Sequence, residues 1–269
     1  MNPVVSPSQS RFAYVRRTAL QLRACGRSRR PSRSHSGALP QPSRVYRIFA
    51  MNELIPLLLE GTWVTVQVTF FGSLLAIAAA LIAAFGRLSP IAPVRWLAAA
   101  YIEIFRGSSL LVQLFWLYFV LPMPPFNVSL SAFNVAVIGL GLNIGAYGAE
   151  VLRGAIRSVH KGQFEACQAL NMTAWQRARR IILPQALLAA IPPGINLLIE
   201  LLKNTSLVSL ITLSDLAFRA RQLDQATLMT LEIFGLALVI YFVLAQIINF
   251  SLRALERRLN RGRIGGSLS

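Results

Sequence analysis

Apolar residues along this chain fall into five long runs that are separated by short polar segments. Each run is close to the ~20 residues that a helix needs to cross a hydrocarbon core of ~30 Å. The pattern therefore predicts an all-α integral membrane protein with about five transmembrane helices. The predicted spans are residues 62–85, 96–121, 132–152, 186–211 and 228–252.

The fourth predicted span contains a Pro-Pro-Gly sequence at Pro192, Pro193 and Gly194. Two adjacent prolines remove two backbone donors, so the pattern predicts an interrupted helix. Interrupted backbone at membrane depth is tolerated where it is buried or lines a cavity. We therefore expect a polar pathway beside this interruption, close to Glu200.

Composition agrees with a membrane protein, because 55% of the 269 residues are hydrophobic and only 14% are charged. The net charge of +17 is concentrated at the amino end, where residues 1–50 hold ten arginines and no acidic residue. We predict a disordered basic extension at 1–50, a membrane domain at 51–260 and a cytoplasmic tail at 261–269. A start codon assigned too early, with Met51 as the first residue, is the preferred interpretation of the extension, and a genuine basic tail is the alternative.

The distribution of basic residues between the spans predicts the orientation in the membrane. If the first span starts on the outer side, the only basic residues in the outer segments after Met51 are Arg219 and Arg221. Basic residues concentrate on the cytoplasmic side of membrane proteins, so this distribution places the amino end outside and the carboxyl end inside. The thirteen basic residues in the predicted cytoplasmic segments are Arg87, Arg95, Arg153, Arg157, Lys161, Arg177, Arg179, Arg180, Arg253, Arg257, Arg258, Arg261 and Arg263.

The polar segment between the third and fourth spans, GQFEACQALNMTAWQRARRIILPQ, has the pattern of two short helices joined by a bend. Phe164, Cys167, Leu170 and Ala174 recur at roughly helical spacing and give the first helix an apolar face. Asn171 stands where the bend is needed, and Asn tolerates the left-handed conformation that ends many helices. The second helix is predicted from Ala174 through 182. The segment thus forms a helix, a bend and a helix on the cytoplasmic side.

This segment resembles the EAA loop of permease subunits of ATP-binding-cassette importers. The family pattern is Glu-Ala-Ala, three residues, Gly, nine residues, and Ile-x-Leu-Pro. The sequence departs from it twice, with Cys in place of the second Ala and Asn in place of Gly. The residues at the family's spacing are Glu165, Ala166, Cys167, Asn171, Ile181, Leu183 and Pro184.

The resemblance implies a permease subunit that couples to a separate ATPase through residues 162–185. It implies no cofactor on this chain, with ATP and Mg²⁺ held by the ATPase, and a location in the bacterial inner membrane. The implied partners are a pair of ATPase subunits, a second permease that is identical or paralogous, a periplasmic solute-binding protein, the solute and membrane lipid, but no nucleic acid. A basic loop that binds anionic lipid is the alternative, but it accounts for neither Glu165 nor the spacing.

Three further strings resemble the polar-amino-acid branch of these permeases: YIEIFRGSSLLVQLFWLYFVLP, NIGAYGAEVLRGAI and LLIELLKNTSLVSLITLSDL. Within that branch the last string resembles most the permeases of ectoine and hydroxyectoine importers, and amino-acid paralogues share much of it. The resemblance implies a small zwitterionic cargo, either ectoine or hydroxyectoine or a polar amino acid.

Polar side chains inside the predicted spans are candidates for the substrate pathway, because burying them in lipid is costly. A zwitterion needs an anionic partner and a cationic or amide partner, which Glu200 with Lys203 or Asn204 supplies. Glu103 and Arg106 also lie three residues apart and predict a pair on one helix face. Both pairs have a structural alternative, in which they neutralise each other. The candidate pathway residues are Glu200, Lys203, Asn204, Glu103, Gln113 and Asn143.

The sequence gives less support to other classes of function. The chain contains no Gly-x-x-x-x-Gly-Lys-Ser/Thr sequence, so it is predicted to be a transport subunit rather than an enzyme. Two cysteines and two histidines give no basis for a metal cluster. A gradient-driven carrier or channel remains the alternative, although it predicts repeated halves or a lone intramembrane acid. A nucleic-acid-binding tether would rest on the charge of residues 1–50 alone.

Overall fold

The computed structural model describes the backbone of residues 44–260 and the side chains of residues 55–258. The predicted extension up to residue 43 and the predicted tail at 261–269 lie outside the described residues. The described range contains α-helices, two π-helical turns and one 3₁₀ segment. The α-helices are α1 (Arg44–Leu88), α2 (Ala92–Gly107), α3 (Leu110–Phe115), α4 (Ala132–Arg157), α5 (Lys161–Ala169), α6 (Ala174–Arg177), α7 (Leu183–Asn204), α8 (Leu216–Thr227) and α9 (Thr230–Asn260).

The prediction of an all-helical membrane protein is confirmed. Within the described residues, four helical stretches are long and apolar enough to cross a membrane: Ile55–Leu88, Ala132–Arg157, Ala174–Ile211 and Thr230–Arg258. The second predicted span is divided into two pieces, Ala92–Gly107 and Leu110–Val120, that meet at 105°. The number of spans is five if this bent pair is one of them. Helix α1 begins at Arg44, before the predicted domain boundary at Met51.

The expected interruption of the fourth span does not occur. Helix α7 continues through Pro192 and Pro193 without a break. Two missing donors release two carbonyl groups, but membrane helices tolerate this where neighbouring groups or small adjustments of the helix satisfy them. The regular α-helix ends instead at Asn204, where a 3₁₀ segment, Thr205–Ile211, continues the chain. The interruption of a membrane helix lies at Ser108 and Ser109, in the second span.

The described residues form two compact units, one that ends at residue 64 and includes 214–239, and the other of 65–213 together with the described residues after 239. In the larger unit, α4 is the most deeply buried span. A Cβ atom added at Gly141 would lie 2.8 Å from Leu75 Cδ2, and one added at Gly145 would lie 2.7 Å from Ala79 Cβ. Small residues at four-residue spacing allow α1 and α4 to approach closely, which is a common packing mode of membrane helices. The hydroxyl of Tyr101 on α2 donates to the Leu142 carbonyl at 2.6 Å.

In the smaller unit, α8 forms from a polar segment that the hydropathy pattern left outside the spans. The buried carboxylate of Asp215 accepts hydrogen bonds from the amides of Ala217 and Phe218 at 3.2 and 3.0 Å, and so caps the helix. Arg219 Nη2 lies 3.4 Å from Glu60 Oε2. A Cβ atom added at Gly61 would lie 2.8 Å from the Asp215 carbonyl oxygen, so the start of α8 approaches α1 closely at a residue without a side chain.

Candidate functional site

The predicted bend at Asn171 is present, and its hydrogen bonds define how α5 ends. Asn171 has a φ of 53°, in the left-handed region. Its amide donates to the Gln168 carbonyl at 2.9 Å, and the Met172 amide donates to the Cys167 carbonyl at 3.0 Å. This pair of bonds is the Schellman motif, in which a left-handed residue satisfies the last carbonyls of a helix. Asn171 therefore provides the left-handed turn that was predicted at this position.

The second arm of the segment begins with a capping box. Thr173 Oγ1 accepts from the Gln176 amide at 3.3 Å, and Gln176 Oε1 accepts from the Thr173 amide at 3.0 Å. Helix α6 then passes through a π-helical turn, Ala178–Ile182, into α7. Pro184 lies at the start of α7, where its missing donor follows directly on the widened turn. The prediction of a second helix from Ala174 through 182 is confirmed.

A small apolar cluster attaches the segment to the membrane helices of the same unit. Ile182 is buried in this cluster with Ala155, Val159 and Ala186, and Phe164 packs against it. The guanidinium carbon of Arg177 lies 5.7 Å from the centre of the Phe164 ring. Phe164 therefore contacts both the apolar cluster and a cation.

The residues of the predicted coupling motif divide into an exposed group and a buried one. Glu165 and Ala166 are exposed, whereas the Cys167 side chain is only 1% exposed. Ile181, Leu183 and Pro184 are half-buried. Two large apolar side chains near the bend, Leu170 and Trp175, are 73% and 70% exposed. The segment thus presents a carboxylate and apolar groups outward, while Cys167 packs inward.

A second polar cluster lies at the break between α2 and α3. Ending a helix leaves its last carbonyl groups without helical partners, and a membrane offers no water to replace them. The Asn143 side-chain amide donates to the Phe105 carbonyl at 2.9 Å, and Gln113 Nε2 donates to the same oxygen at 3.0 Å. The Ser108 hydroxyl donates to the Ile104 carbonyl at 2.6 Å. The structure therefore brings Gln113 and Asn143 together, and both cap the broken helix.

The same amides also bond to each other and to Ser108. Asn143 Nδ2 donates to Gln113 Oε1 at 3.2 Å, and Gln113 Nε2 lies 2.7 Å from Ser108 Oγ. A network in which every member has a partner holds its side chains in fixed positions. The break in the second span is consequently a defined structure with polar walls.

The ion pairs around the break differ from those predicted. Arg106 does not pair with Glu103 among the described residues, and its Nη1 lies 3.9 Å from Glu150 Oε2 on α4. Glu150 is instead the partner of Arg153, which donates to both carboxylate oxygens. The Arg106 guanidinium also stands over the Tyr147 ring, 5.3 Å from its centre. A contact between helices has replaced the predicted contact within one helix.

The predicted site on α7 is less closely assembled. Glu200 and Lys203 are exposed, Asn204 is half-buried, and Glu200 and Lys203 form no ion pair in the described part of the chain. Glu103 is likewise exposed on α2. These four side chains therefore lie on two different helices, and no ion pair among the described residues joins them into one site.

Ser108, Tyr147 and the contact between Glu150 and Arg106 were missed in the sequence analysis. The Gly-Ser-Ser sequence from Gly107 was a usable signal, because small polar residues after a Gly commonly end a helix. The contacts of Tyr147 and Glu150 with Arg106 had no comparable signal, since they depend on which face of α4 meets α2.

Comparison with known proteins accounts for the fold. Residues 72–261 match the family described as the binding-protein-dependent transport system inner membrane component. The chain belongs to this family. It is accordingly the membrane component of a transport system rather than an enzyme, and the helix–bend–helix segment lies inside the matched range.

Curated members of this transport family are similar over most of their length. The chain is 43% identical to a probable amino-acid ABC transporter permease of Sinorhizobium fredii, covering 76% of this chain and 87% of that protein. It is 40% identical to the L-cystine transport system permease of Bacillus subtilis, with 77% and 88% covered. It is 36% identical to the glutamine transport system permease of Escherichia coli, with 76% and 94% covered.

Solved structures show the same fold. A crystal structure of an amino acid ABC transporter with histidines superimposes with a TM-score of 0.73 at 34% identity, covering 78% of this chain and 97% of that chain. An inward-facing methionine ABC transporter superimposes with a TM-score of 0.64 at 21% identity, covering 77% and 97%. The helical arrangement is therefore that of the transport family.

Proposed function

We propose that this chain is the permease subunit of an ATP-driven importer for a small zwitterionic solute, and that residues 162–185 couple it to a separate ATPase. The observation that carries the proposal is the bend at Asn171. Its Schellman hydrogen bonds end α5, on which Glu165 and Ala166 are exposed, at the spacing of the coupling motif. A surface that docks to another subunit needs this combination of rigid backbone and exposed side chains.

The exposed apolar groups beside the motif support a docking role. Leu170 and Trp175 are mostly exposed in a segment that is otherwise polar. Large exposed apolar side chains next to polar ones are typical of protein–protein contacts, and Trp is enriched among the residues that dominate binding. Cys167 is buried and so is not available for contact with the ATPase, whereas Phe164 on the same helix packs against the cluster around Ile182.

The proposed assembly contains a pair of ATPase subunits, which hold ATP and Mg²⁺, and a second permease that is identical or paralogous. A solute-binding protein delivers the cargo on the outer face. The positive-inside distribution supports an amino end outside and a carboxyl end in the cytoplasm of a bacterium, with the coupling segment on the inner face.

The proposed cargo is a polar amino acid or the cyclic amino-acid derivative ectoine or hydroxyectoine. The names of the relatives, which specify amino acids, cystine and glutamine, support the amino-acid alternative. The string at residues 197–216 supports ectoine. Both cargoes carry a carboxylate and a cationic group, so either fits a pathway that contains Glu200, Lys203, Asn204, Glu103, Gln113 and Asn143.

Transport by the reconstituted complex tests this function. The permease, the ATPase and the binding protein encoded beside it are placed in proteoliposomes with labelled ectoine, glutamine, arginine or cystine. We expect uptake of one of these solutes that requires both ATP and the binding protein. Uptake that follows an ion gradient in the absence of ATP would contradict the proposal and favour a carrier.

A further inference from the structure

Arg106 has a charge that its surroundings leave only partly matched. Its Nη1 lies 3.9 Å from Glu150 Oε2, which is beyond the range of an N–H···O hydrogen bond. The other contact of the guanidinium is the face of the Tyr147 ring at 5.3 Å. Within the described residues, the guanidinium donates no hydrogen bond to a protein group, and its side chain is 36% exposed.

The carboxylate nearest to Arg106 is already occupied. Arg153 Nε donates to Glu150 Oε1 at 2.9 Å and to Oε2 at 3.0 Å, and Arg153 Nη2 also contacts Oε2. A bidentate guanidinium–carboxylate pair of this kind is among the strongest hydrogen-bonded arrangements in proteins. The three charges Arg106, Glu150 and Arg153 therefore sum to one positive charge, and the excess resides on Arg106.

The position of Arg106 makes this charge relevant to transport. Arg106 is in the last turn of α2, directly before the break in the second span. Interrupted membrane helices with polar walls are where transporters place substrate sites, and a charged side chain at that depth needs a partner or a wet cavity. The amides of Gln113 and Asn143 fix the backbone at Phe105, one residue away, so the guanidinium extends from a rigid support.

We propose that Arg106 binds the carboxylate of the transported solute at the break in the second span. A guanidinium presents two parallel N–H donors at the spacing of the two carboxylate oxygens, and these donors are unused within the described structure. Glu103, one turn earlier on α2, makes no ion pair among the described residues and is an available partner for the cationic group of the same solute. The inference rests on the proposed function, since it assumes a carboxylate-bearing cargo.

Solute binding to the permease–ATPase complex without the binding protein tests this inference. Labelled ectoine, glutamine, arginine and cystine are titrated onto the wild-type complex in nanodiscs, and the solute that the wild type imports is then used with the variants. Arg106→Gln should weaken binding by about 10- to 100-fold, because charge-assisted hydrogen bonds are lost. Arg106→Lys keeps the charge but loses the two parallel N–H donors of the guanidinium, so its affinity should lie between those of the wild type and Arg106→Gln. Arg95→Gln, which removes a charge from the same helix eleven residues earlier, is the matched control and should bind like the wild type.

A substrate analogue separates a binding role from a structural one. The α-carboxamide of the imported solute lacks the carboxylate charge, so the wild type should bind it at least about 10-fold more weakly than the parent. Arg106→Gln should lose this discrimination. If Arg106→Gln does not assemble, the same comparison in the wild type and in Arg106→Lys decides, because a wild type that binds both compounds equally overturns the inference.

The results of these experiments separate a failure of the Arg106 proposal from a failure of the proposed import function. Import of none of the four solutes by the wild-type complex would overturn the proposed function and this inference with it. Import by the wild type, together with equal binding by wild type, Arg106→Gln and Arg95→Gln, would overturn the inference alone.

Discussion

The side-chain amide of Asn143 on α4 donates a 2.9 Å hydrogen bond to the Phe105 carbonyl of α2. The acceptor is one of the carbonyl groups released where the second span breaks. One polar side chain in the most buried helix thereby allows another helix to end inside the membrane. Asn143 is only 5% exposed, so water cannot replace its amide if it is removed.

Asn143→Leu should therefore destabilise the protein by about 1–3 kcal/mol, the cost of leaving buried polar groups without partners. The measurement is the thermal unfolding midpoint of the purified permease in detergent. Asn134→Leu is the matched control, because Asn134 is exposed near the start of the same helix. Equal midpoints for Asn143→Leu and the wild type would show that the network at the break contributes nothing to stability.

The bend of the coupling segment gives a prediction about backbone conformation. Asn171 has a φ of 53°, which costs an ordinary L-residue roughly 1–2 kcal/mol. Asn171→Ala should loosen the bend and reduce solute-stimulated ATP hydrolysis in the reconstituted complex, whereas Asn171→Gly should retain it. The same loss in both variants would mean that the Asn side chain matters, rather than the conformation.

Glu165 on the exposed face of the same segment should be needed for coupling but not for insertion. Glu165→Ala should leave the amount of protein in the membrane unchanged and abolish solute-stimulated ATP hydrolysis, because the side chain is exposed and forms no ion pair within the described residues that its removal would break. Gln163→Ala, an exposed neighbour on α5, serves as the control and should stay coupled. Normal transport by Glu165→Ala would remove the role assigned to it.

Two Gly→Ala substitutions in the smaller unit should differ in effect, because only one of them lies at the close approach of α1 and α8. At Gly61 an added Cβ would lie 2.8 Å from the Asp215 carbonyl oxygen, which is backbone and cannot move aside cheaply. Gly61→Ala should lower stability by about 1–3 kcal/mol, as overpacking does. Gly235→Ala meets no atom within 4 Å and should be neutral or stabilising, since Ala is the better helix former. Thermal unfolding of the two variants under the same conditions compares them directly.

The sequence predicted those features that depend on local pattern. The apolar runs predicted the spans, and the tolerance of Asn for the left-handed region predicted the bend at Asn171. The break in the second span was missed because hydropathy is insensitive to a polar gap of two residues, Ser108 and Ser109. The break expected at Pro192 and Pro193 is absent. Together the two prolines remove only two backbone donors, and α7 continues through them.

Contacts between helices could not be predicted in the same way. Glu103 and Arg106 have the spacing of a pair on one helix, yet Arg106 lies beside Glu150 on another. Spacing along a helix identifies which side chains are able to meet but not which neighbour is closer. That choice depends on the packing of α2 against α4.

The last prediction concerns Glu200 and Lys203, which the pathway hypothesis and the structural alternative treat differently. Both are exposed on α7 and form no ion pair in the described part of the chain, so a neutralising pair is not the reason for their presence in this conformation. If they line the pathway, Glu200→Gln and Lys203→Gln should each reduce solute uptake by about tenfold or more while leaving the amount of assembled complex unchanged, because an unpaired solute charge in a low-dielectric site costs a few kcal/mol. Lys203→Arg keeps the charge and should retain most of the uptake. If both charge-removing variants transport like the wild type, Glu200 and Lys203 do not line the pathway. The polar break in the second span is then the remaining candidate for the place where the solute crosses.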